Sequence, residues 1–306
     1  MVRGTGMKTV KMKVSRDDRI FNLVKWVFLT VVIVLVLYPL YFVVIASFSD
    51  PMYVNSGRVV LFPRGFMLTG YEKIFRDRRI LTGYMNTIFY TVCGTAFGVC
   101  CTMLAGYSLS RKDLPGRKLI MLLFIFTMYF SGGMIPFYLV IKGLNLVNTR
   151  LLMIISGSVS VYNIIITRSF LSASISEELL DAARIDGCGN GRFFTQIVVP
   201  LSKAIVAVIS LYIAVMHWNS YFNAMIFLTD ETKYPLQLYL RDILLMTSST
   251  INAAGETDPE AALKLQLMGQ VIKYGVIVVS TVPIICVYPF IQKYFVKGVM
   301  IGSVKG

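Results

Sequence analysis

Charged side chains are scarce in this sequence: Asp, Glu, Lys and Arg make up 15% of it, against roughly 25% in an ordinary soluble domain. The long apolar stretches contain neither Asp nor Glu. Proton- and voltage-driven carriers place ionisable groups in the membrane to take up the coupling charge, so a self-contained carrier lacks its usual equipment here. One histidine, His217, in the whole chain leaves little for acid–base or metal chemistry. There is no GxxxxGK followed by Ser or Thr, no HExxH and no GxSxG, so the chain has no P-loop for nucleotide and no familiar hydrolase signature. The run Gly187-Cys188-Gly189-Asn190-Gly191 does not fit GxGxxG and follows a helical pattern, so it reads as a turn. The five cysteines are odd in number, contain no CxxC, and include Cys93, Cys100, Cys101 and Cys286 in apolar surroundings. They read as small apolar fillers, not as disulfide or zinc ligands.

What the chain has is apolar length. Hydrophobic types make up 56% of its residues and lie in blocks, not dispersed at period 2 or 3.6, which points to a bilayer. The expected fold is all-α: a polytopic membrane bundle of six transmembrane helices with a short helix on the cytoplasmic surface, which the resemblance named below makes a coupling helix. The spans are predicted at about 24–46, 84–107, 119–141, 151–167, 204–228 and 274–292, between a basic head (1–23) and a tail (293–306). At ~20 residues per span, six use most of the chain and leave no room for a large extra domain. The first block exceeds the ~7–15 residues of a signal-peptide core and no A-x-A follows, so it reads as an uncleaved span. Gly94 and Gly98 fall four apart in the second span, the kind of small-residue pair that lets membrane helices approach closely.

The net charge of +14 would suggest nucleic acid in a soluble protein, but beside spans it fits the inside bias of Lys and Arg. With the N-terminus inside, the inner segments hold 18 basic and 7 acidic residues, the outer ones 12 and 9. Both termini are therefore expected in the cytoplasm of a cell whose plasma membrane the chain crosses, with membrane lipid as its surroundings and no nucleic acid partner. The first external loop, with Arg58, Arg64, Lys73, Arg76, Arg78 and Arg79, runs against this rule.

The most informative segment is the inner loop 174–203. Ser176 before Glu177 and Glu178 marks a helix start, with acids where the helix dipole favours them. Leu179, Leu180, Ala182, Ala183 and Ile185 then make an apolar face that Gly187, Gly189 and Gly191 end. A helix lying on lipid headgroups would expose Lys and Arg. This one offers Glu177, Glu178, Asp181 and Asp186, so a protein partner fits better.

Asp181-Ala182-Ala183, Asp186-Gly187, Ile197 and Pro200 together resemble the "EAA" coupling loop of bacterial ABC importer membrane subunits, with Asp where that family usually has Glu. Trp218-Asn219, Tyr234-Pro235-Leu236 and the C-terminal Gly302–Gly306 resemble its maltose-type, oligosaccharide-importing branch. Ser131-Gly132-Gly133-Met134-Ile135-Pro136 is similar to a subgroup common in Gram-positive bacteria. The resemblance implies that Asp181, Ala182, Ala183, Asp186 and Gly187 form the contact with an ATP-hydrolysing subunit, and that Gly302, Ser303, Val304, Lys305 and Gly306 reach the ATPase dimer interface. It implies two ATP-binding subunits that use ATP and Mg, a second homologous permease subunit, an extracytoplasmic solute-binding protein and a carbohydrate substrate. No cofactor is expected on this chain, which is a transport subunit and not an enzyme.

The translocation path is less sharply marked. His217, Trp218, Asn219, Tyr221 and Asn223 cluster in the fifth span, and Tyr129 lies in the third. Asn219 and Asn223 are four apart and share a helix face. Amides and aromatic rings suit sugar binding, but helix–helix packing explains the same residues about as well. Thr229–Lys273, with Glu231, Asp242, Glu256, Asp258 and Glu260, reads either as the docking surface for the solute-binding protein or as a solvated charged loop. An importer of another solute, such as an amino acid or peptide, remains open, as do a channel or secondary carrier and a scaffold without transport.

Overall fold

The computed structural model describes residues 15–243, 245 and 259–303, in two units, 1–67 and 68–306. All regular structure among the described residues is helical. In the first unit, α1 (Arg16–Ser47) holds the first apolar stretch; at 1.5 Å per residue it is about 48 Å long, enough to cross a bilayer. Its side chains from Ile20 to Tyr41 are largely exposed, Leu35 by 68%, so it offers apolar surface nearly all round. The segment after it folds back: Tyr38 Oη donates to the Val60 carbonyl (3.2 Å) and Tyr41 Oη to that of Leu61. The amide of Met67 reaches the carbonyl of Phe48 (2.9 Å). Asp50 caps the short α2 (Pro51–Asn55) by accepting from the Met52 amide at 2.8 Å.

The second unit is built round α4 (Arg78–Ser110), preceded by α3 (Thr69–Arg76). The buried positions of α4, among them Ile80, Gly83, Thr87, Tyr90, Gly94, Gly98, Thr102, Gly106 and Leu109, recur every three or four residues and form one stripe. Against it lie α7 (Arg150–Ile155), α8 (Val161–Ser174) and α12 (Lys203–Trp218). The buried row of α12 is Ile205, Ile209, Ile213 and His217. The glycines set the approach. A Cβ on Gly94 would collide with the His217 ring, and one on Gly98 with the Ser158 carbonyl. The expected close-packing role of this pair is therefore visible, and it is intramolecular.

Several stretches expected to be single spans are divided. Residues 119–141 fall in α5 (Arg117–Tyr129) and α6 (Met134–Gly143), which meet at 115°. Gly133 lies between them at φ +83°, a conformation that L side chains rarely adopt. Residues 151–167 are shared by α7 and α8 across a turn at Gly157, φ +78°. The stretch 204–228 breaks between α12 and α13 (Phe222–Phe227), and α14 (Pro259–Ser303) carries the last. Among the described residues, three helices are each long and apolar enough to span a membrane, five if each bent pair counts as one. Broken helices at membrane depth are tolerated where the freed backbone is buried in protein or faces water.

Candidate functional site

The loop 174–203 folds as its sequence suggests. Ser176 Oγ accepts from the Leu179 amide (3.3 Å) and starts α9, Glu177–Ile185. Gly187, at φ +72°, ends it: its amide bonds the Arg184 carbonyl (3.0 Å) and the Cys188 amide reaches that of Ala183 (2.8 Å). This is a Schellman stop, which needs a left-handed residue after the cap. Space around the missing Gly187 Cβ is open, so the backbone angle, not crowding, calls for glycine here. The chain continues through α10 (Asn190–Phe193), a π-helical turn (Phe194–Val198) and α11 (Val199–Leu201), then bends by 82° into α12.

The resemblance-based coupling residues do not share one face. Asp181, Ala182, Asp186 and Gly187 are exposed. Ala183 is buried against Leu171, Phe193 and Val198, with Tyr107 and Phe194 at the margin. Its small side chain seats α9 on the bundle, and Ile185, 87% exposed, points outward instead. The loop 111–116 between α4 and α5 also reaches α9. Asp113 accepts from Arg111 (Nε–Oδ1 3.1 Å, Nη2–Oδ2 2.9 Å) and from Arg184 Nη2 at 2.9 Å. Lys112 Nζ lies 3.0 Å from Glu177. The Arg111 hydrogen bonds, with Arg184 adding to them, hold the Asp113 carboxyl down at about 2. In the sequence Asp113 reads only as the start of a turn, Asp113-Leu114-Pro115-Gly116, and nothing in a linear scan pairs it with Arg184, 71 positions on.

The path candidates divide. His217 is 2% exposed, and its Nε2 lies 2.9 Å from Ser158 Oγ. That hydroxyl also donates to the Ile154 carbonyl. Trp218 donates to the Ser280 carbonyl (3.1 Å) and meets Tyr84 edge-on. Both side chains are committed to packing. Asn223 is half-buried and donates to Ser156 Oγ at 2.9 Å. Asn219 and Tyr221 are exposed, the former donating back to the Val215 carbonyl at 2.8 Å. Tyr129, 74% exposed, sits apart at the end of α5. Of the tail, Gly302 and Ser303 end α14; Val304, Lys305 and Gly306 lie outside the described residues.

At the opposite end of α4, the segment 229–236 is fastened down. Asn148 Oδ1 accepts from the amides of Thr229 (3.2 Å) and Asp230 (3.1 Å). Asn86 Nδ2 donates to the Thr232 and Tyr234 carbonyls (2.8 and 3.0 Å), and Tyr90 Oη to that of Lys233 (2.8 Å). The Thr232 hydroxyl and then Lys233 hold the Asp230 carboxyl at about 2. Of the outer acids named above, Glu256 and Asp258 lie outside the described residues.

With this geometry in place, the chain can be compared with known proteins. The model of the family "binding-protein-dependent transport system inner membrane component" matches residues 98–301. The polygalacturonan/rhamnogalacturonan transport system permease protein YtcP of Bacillus subtilis (strain 168) is 39% identical over 294 residues, covering 94% of this chain and 99% of that one. Protein LplC of the same organism is 37% identical over 292 residues, covering 95% and 97%. The crystal structure of a bacterial ABC transporter involved in the import of the acidic polysaccharide alginate contains a chain that superposes with a TM-score of 0.81 at 35% identity, covering 92% of this chain and 98% of that one. The family model takes in α9, its glycine stop and the α12 that follows, and the relatives extend the match over nearly the whole length, so the chain belongs to the binding-protein-dependent transport system inner membrane components, the multi-pass permeases of ABC transporters.

Proposed function

We propose that this chain is the membrane-spanning permease subunit of an ATP-driven importer for carbohydrate, an oligosaccharide in particular. In this reading six spans cross the bacterial plasma membrane with both termini inside. A second homologous permease, two ATP-binding subunits and an extracytoplasmic solute-binding protein complete the assembly. ATP, with Mg, closes the ATPase pair, α9 follows that closure and the cavity turns outward to take the solute; hydrolysis resets it. The observation that carries the reading is α9 itself: a short helix stopped at Gly187, exposing Asp181, Ala182 and Asp186, in a chain whose relatives include named sugar-transport permeases.

Within the carbohydrate class, the six Lys and Arg of the outer segment 58–79 against two acids support an acidic glycan, as the names of two relatives also suggest. The test is reconstitution of the chain with its sister permease, ATPase and binding protein in proteoliposomes. Uptake of labelled galacturonan oligomers, with neutral malto- and arabino-oligosaccharides alongside, is expected to require ATP and the binding protein. Uptake that persists without the ATPase would overturn the reading; uptake confined to neutral sugars would remove only the refinement.

A further inference from the structure

The inner loop between α4 and α5 holds a charge arrangement that the proposed function does not use. One carboxylate, Asp113, bridges two guanidinium groups on different elements. Arg111 belongs to the end of α4: its side chain is 13% exposed, its Nη1 donates to Tyr107 Oη at 3.3 Å, and it stands 5.8 Å from the Tyr107 ring. The Tyr107 ring in turn lies 5.1 Å from that of Phe194, in the segment following α9. Arg184 belongs to α9, where it meets Asp113 at 2.9 Å and Asp181 at 3.7 Å. Arg117 Nη1, donating to the Arg111 carbonyl at 3.2 Å, holds the loop to the start of α5. Thus α9 is tied to α4 and its loop on its apolar side through Ala183, Phe193 and Tyr107, and on its polar side through Asp113 and through Lys112, whose Nζ meets Glu177 at 3.0 Å.

We propose that Asp113 and Arg184 are positioning residues for the coupling step, the two halves of a strap that makes α9 and the inner end of α4 move as one body. The inference rests on the function proposed above and names a part of its force path. A helix of nine residues seated only by Ala183 and its neighbours could roll about that apolar contact when a partner pushes on Asp181 or Ala182. Arg111 grips the carboxylate with two hydrogen bonds, Nε to Oδ1 and Nη2 to Oδ2, which fixes its orientation as well as its distance, and Arg184 Nη2 meets the oriented carboxylate at Oδ2. With Arg111 rooted on Tyr107 and Arg184 on α9, that roll is resisted and the displacement passes to α4. The α4 stripe in turn carries α8 and α12. A single exposed ion pair contributes little to stability, so the strap's role is directional, and breaking it should leave the fold intact.

The experiment uses the whole complex, purified with its ATPase subunits in nanodiscs. A cysteine-free version carries spin labels at Glu178→Cys on α9 and Leu104→Cys on α4. In the parent the inter-label distance is expected to stay the same when ATP and vanadate are added. In Asp113→Asn and Arg184→Gln it should shift by about 3 Å or more, roughly two residue rises along a helix; Asp113→Glu should behave as the parent. ATPase retention should be unchanged in all three, and Tm at neutral pH should fall only slightly. An Asp113→Asn complex that retains its ATPase and shows no shift overturns the strap and leaves the importer reading standing. So does a parent that shifts as far as the variant. A parent chain that retains no ATPase overturns the reading, and the strap with it.

Discussion

Gly187 separates two effects that a single substitution would mix. Its φ of +72° restricts the site to residues that tolerate the left-handed region, Asn and Asp among them. The two are nearly the same size, so the difference between Gly187→Asn and Gly187→Asp isolates charge. Gly187→Asn is expected to keep most ATPase binding. Gly187→Asp, which adds a third carboxylate to a surface already bearing Asp181 and Asp186, should lose about tenfold or more if an acidic partner surface or tight docking opposes it. Pull-down of the ATPase subunit at graded concentrations measures both. Gly94 is a different kind of glycine, needed for space. Gly94→Ala drives a methyl into the His217 ring, an overpacking that should cost about 1–3 kcal/mol. The double variant Gly94→Ala/His217→Ala should be less destabilised than the sum of the singles. Thermal unfolding in detergent reads this, and strict additivity would mean that the ring and the glycine are not in contact.

Between elements, the decisive junctions are polar hooks over apolar seats. The seat of α9 was legible in part: the alternation of leucine and alanine marked an apolar face, but which alanine turns inward depends on Leu171 and Phe193, which the fold brings together. The hook was not legible, because Asp113 and Arg184 meet only once α4, α8 and α9 are stacked. Its pH dependence follows from the carboxyl. Asp113 titrates at about 2 in the folded chain, against about 3.9 for an unperturbed aspartate. A lowered folded value stabilises above the unfolded pKa and is lost as pH falls through the folded one. The difference in Tm between the parent and Asp113→Asn should thus be constant from neutral pH down to about 4 and vanish toward about 2. A difference that grew on acidification would contradict the pairing. The bend between α5 and α6 belongs to this scale too. The pair Gly132-Gly133 marks in the sequence a point where the third span can loosen, but a helix-length apolar run does not tell that the chain turns there by 115°.

At the scale of the molecule, α4 carries the organisation: about 50 Å of helix at 1.5 Å per residue, with the Asn86–Tyr90 hooks at one end and the Arg111–Asp113 hook at the other. In the proposed orientation these ends lie on opposite sides of the membrane. In a cysteine-free chain in intact cells, Asp230→Cys is expected to react with a membrane-impermeant maleimide, while Asp113→Cys reacts only after permeabilisation. The reverse pattern would invert the topology inferred from charge.

Composition and block length alone determined that this is a helical membrane protein. Burying so many apolar residues in long runs leaves no other solvent for them, and a linear count of Lys and Arg suffices to propose which side is which. Ser176 before Glu177 and Glu178, with Gly187 to end the run, likewise marked a short surface helix, because capping and turn chemistry act within a few residues. What only the tertiary structure decided was the use of each side chain. His217 and Trp218, candidates for a sugar path by type, are consumed by Ser158 and Ser280; Ala183 faces the bundle and Asp113 bridges two helices. Such roles depend on partners 59 to 71 positions away, and a distance along the chain carries no information about contact until the helices are packed.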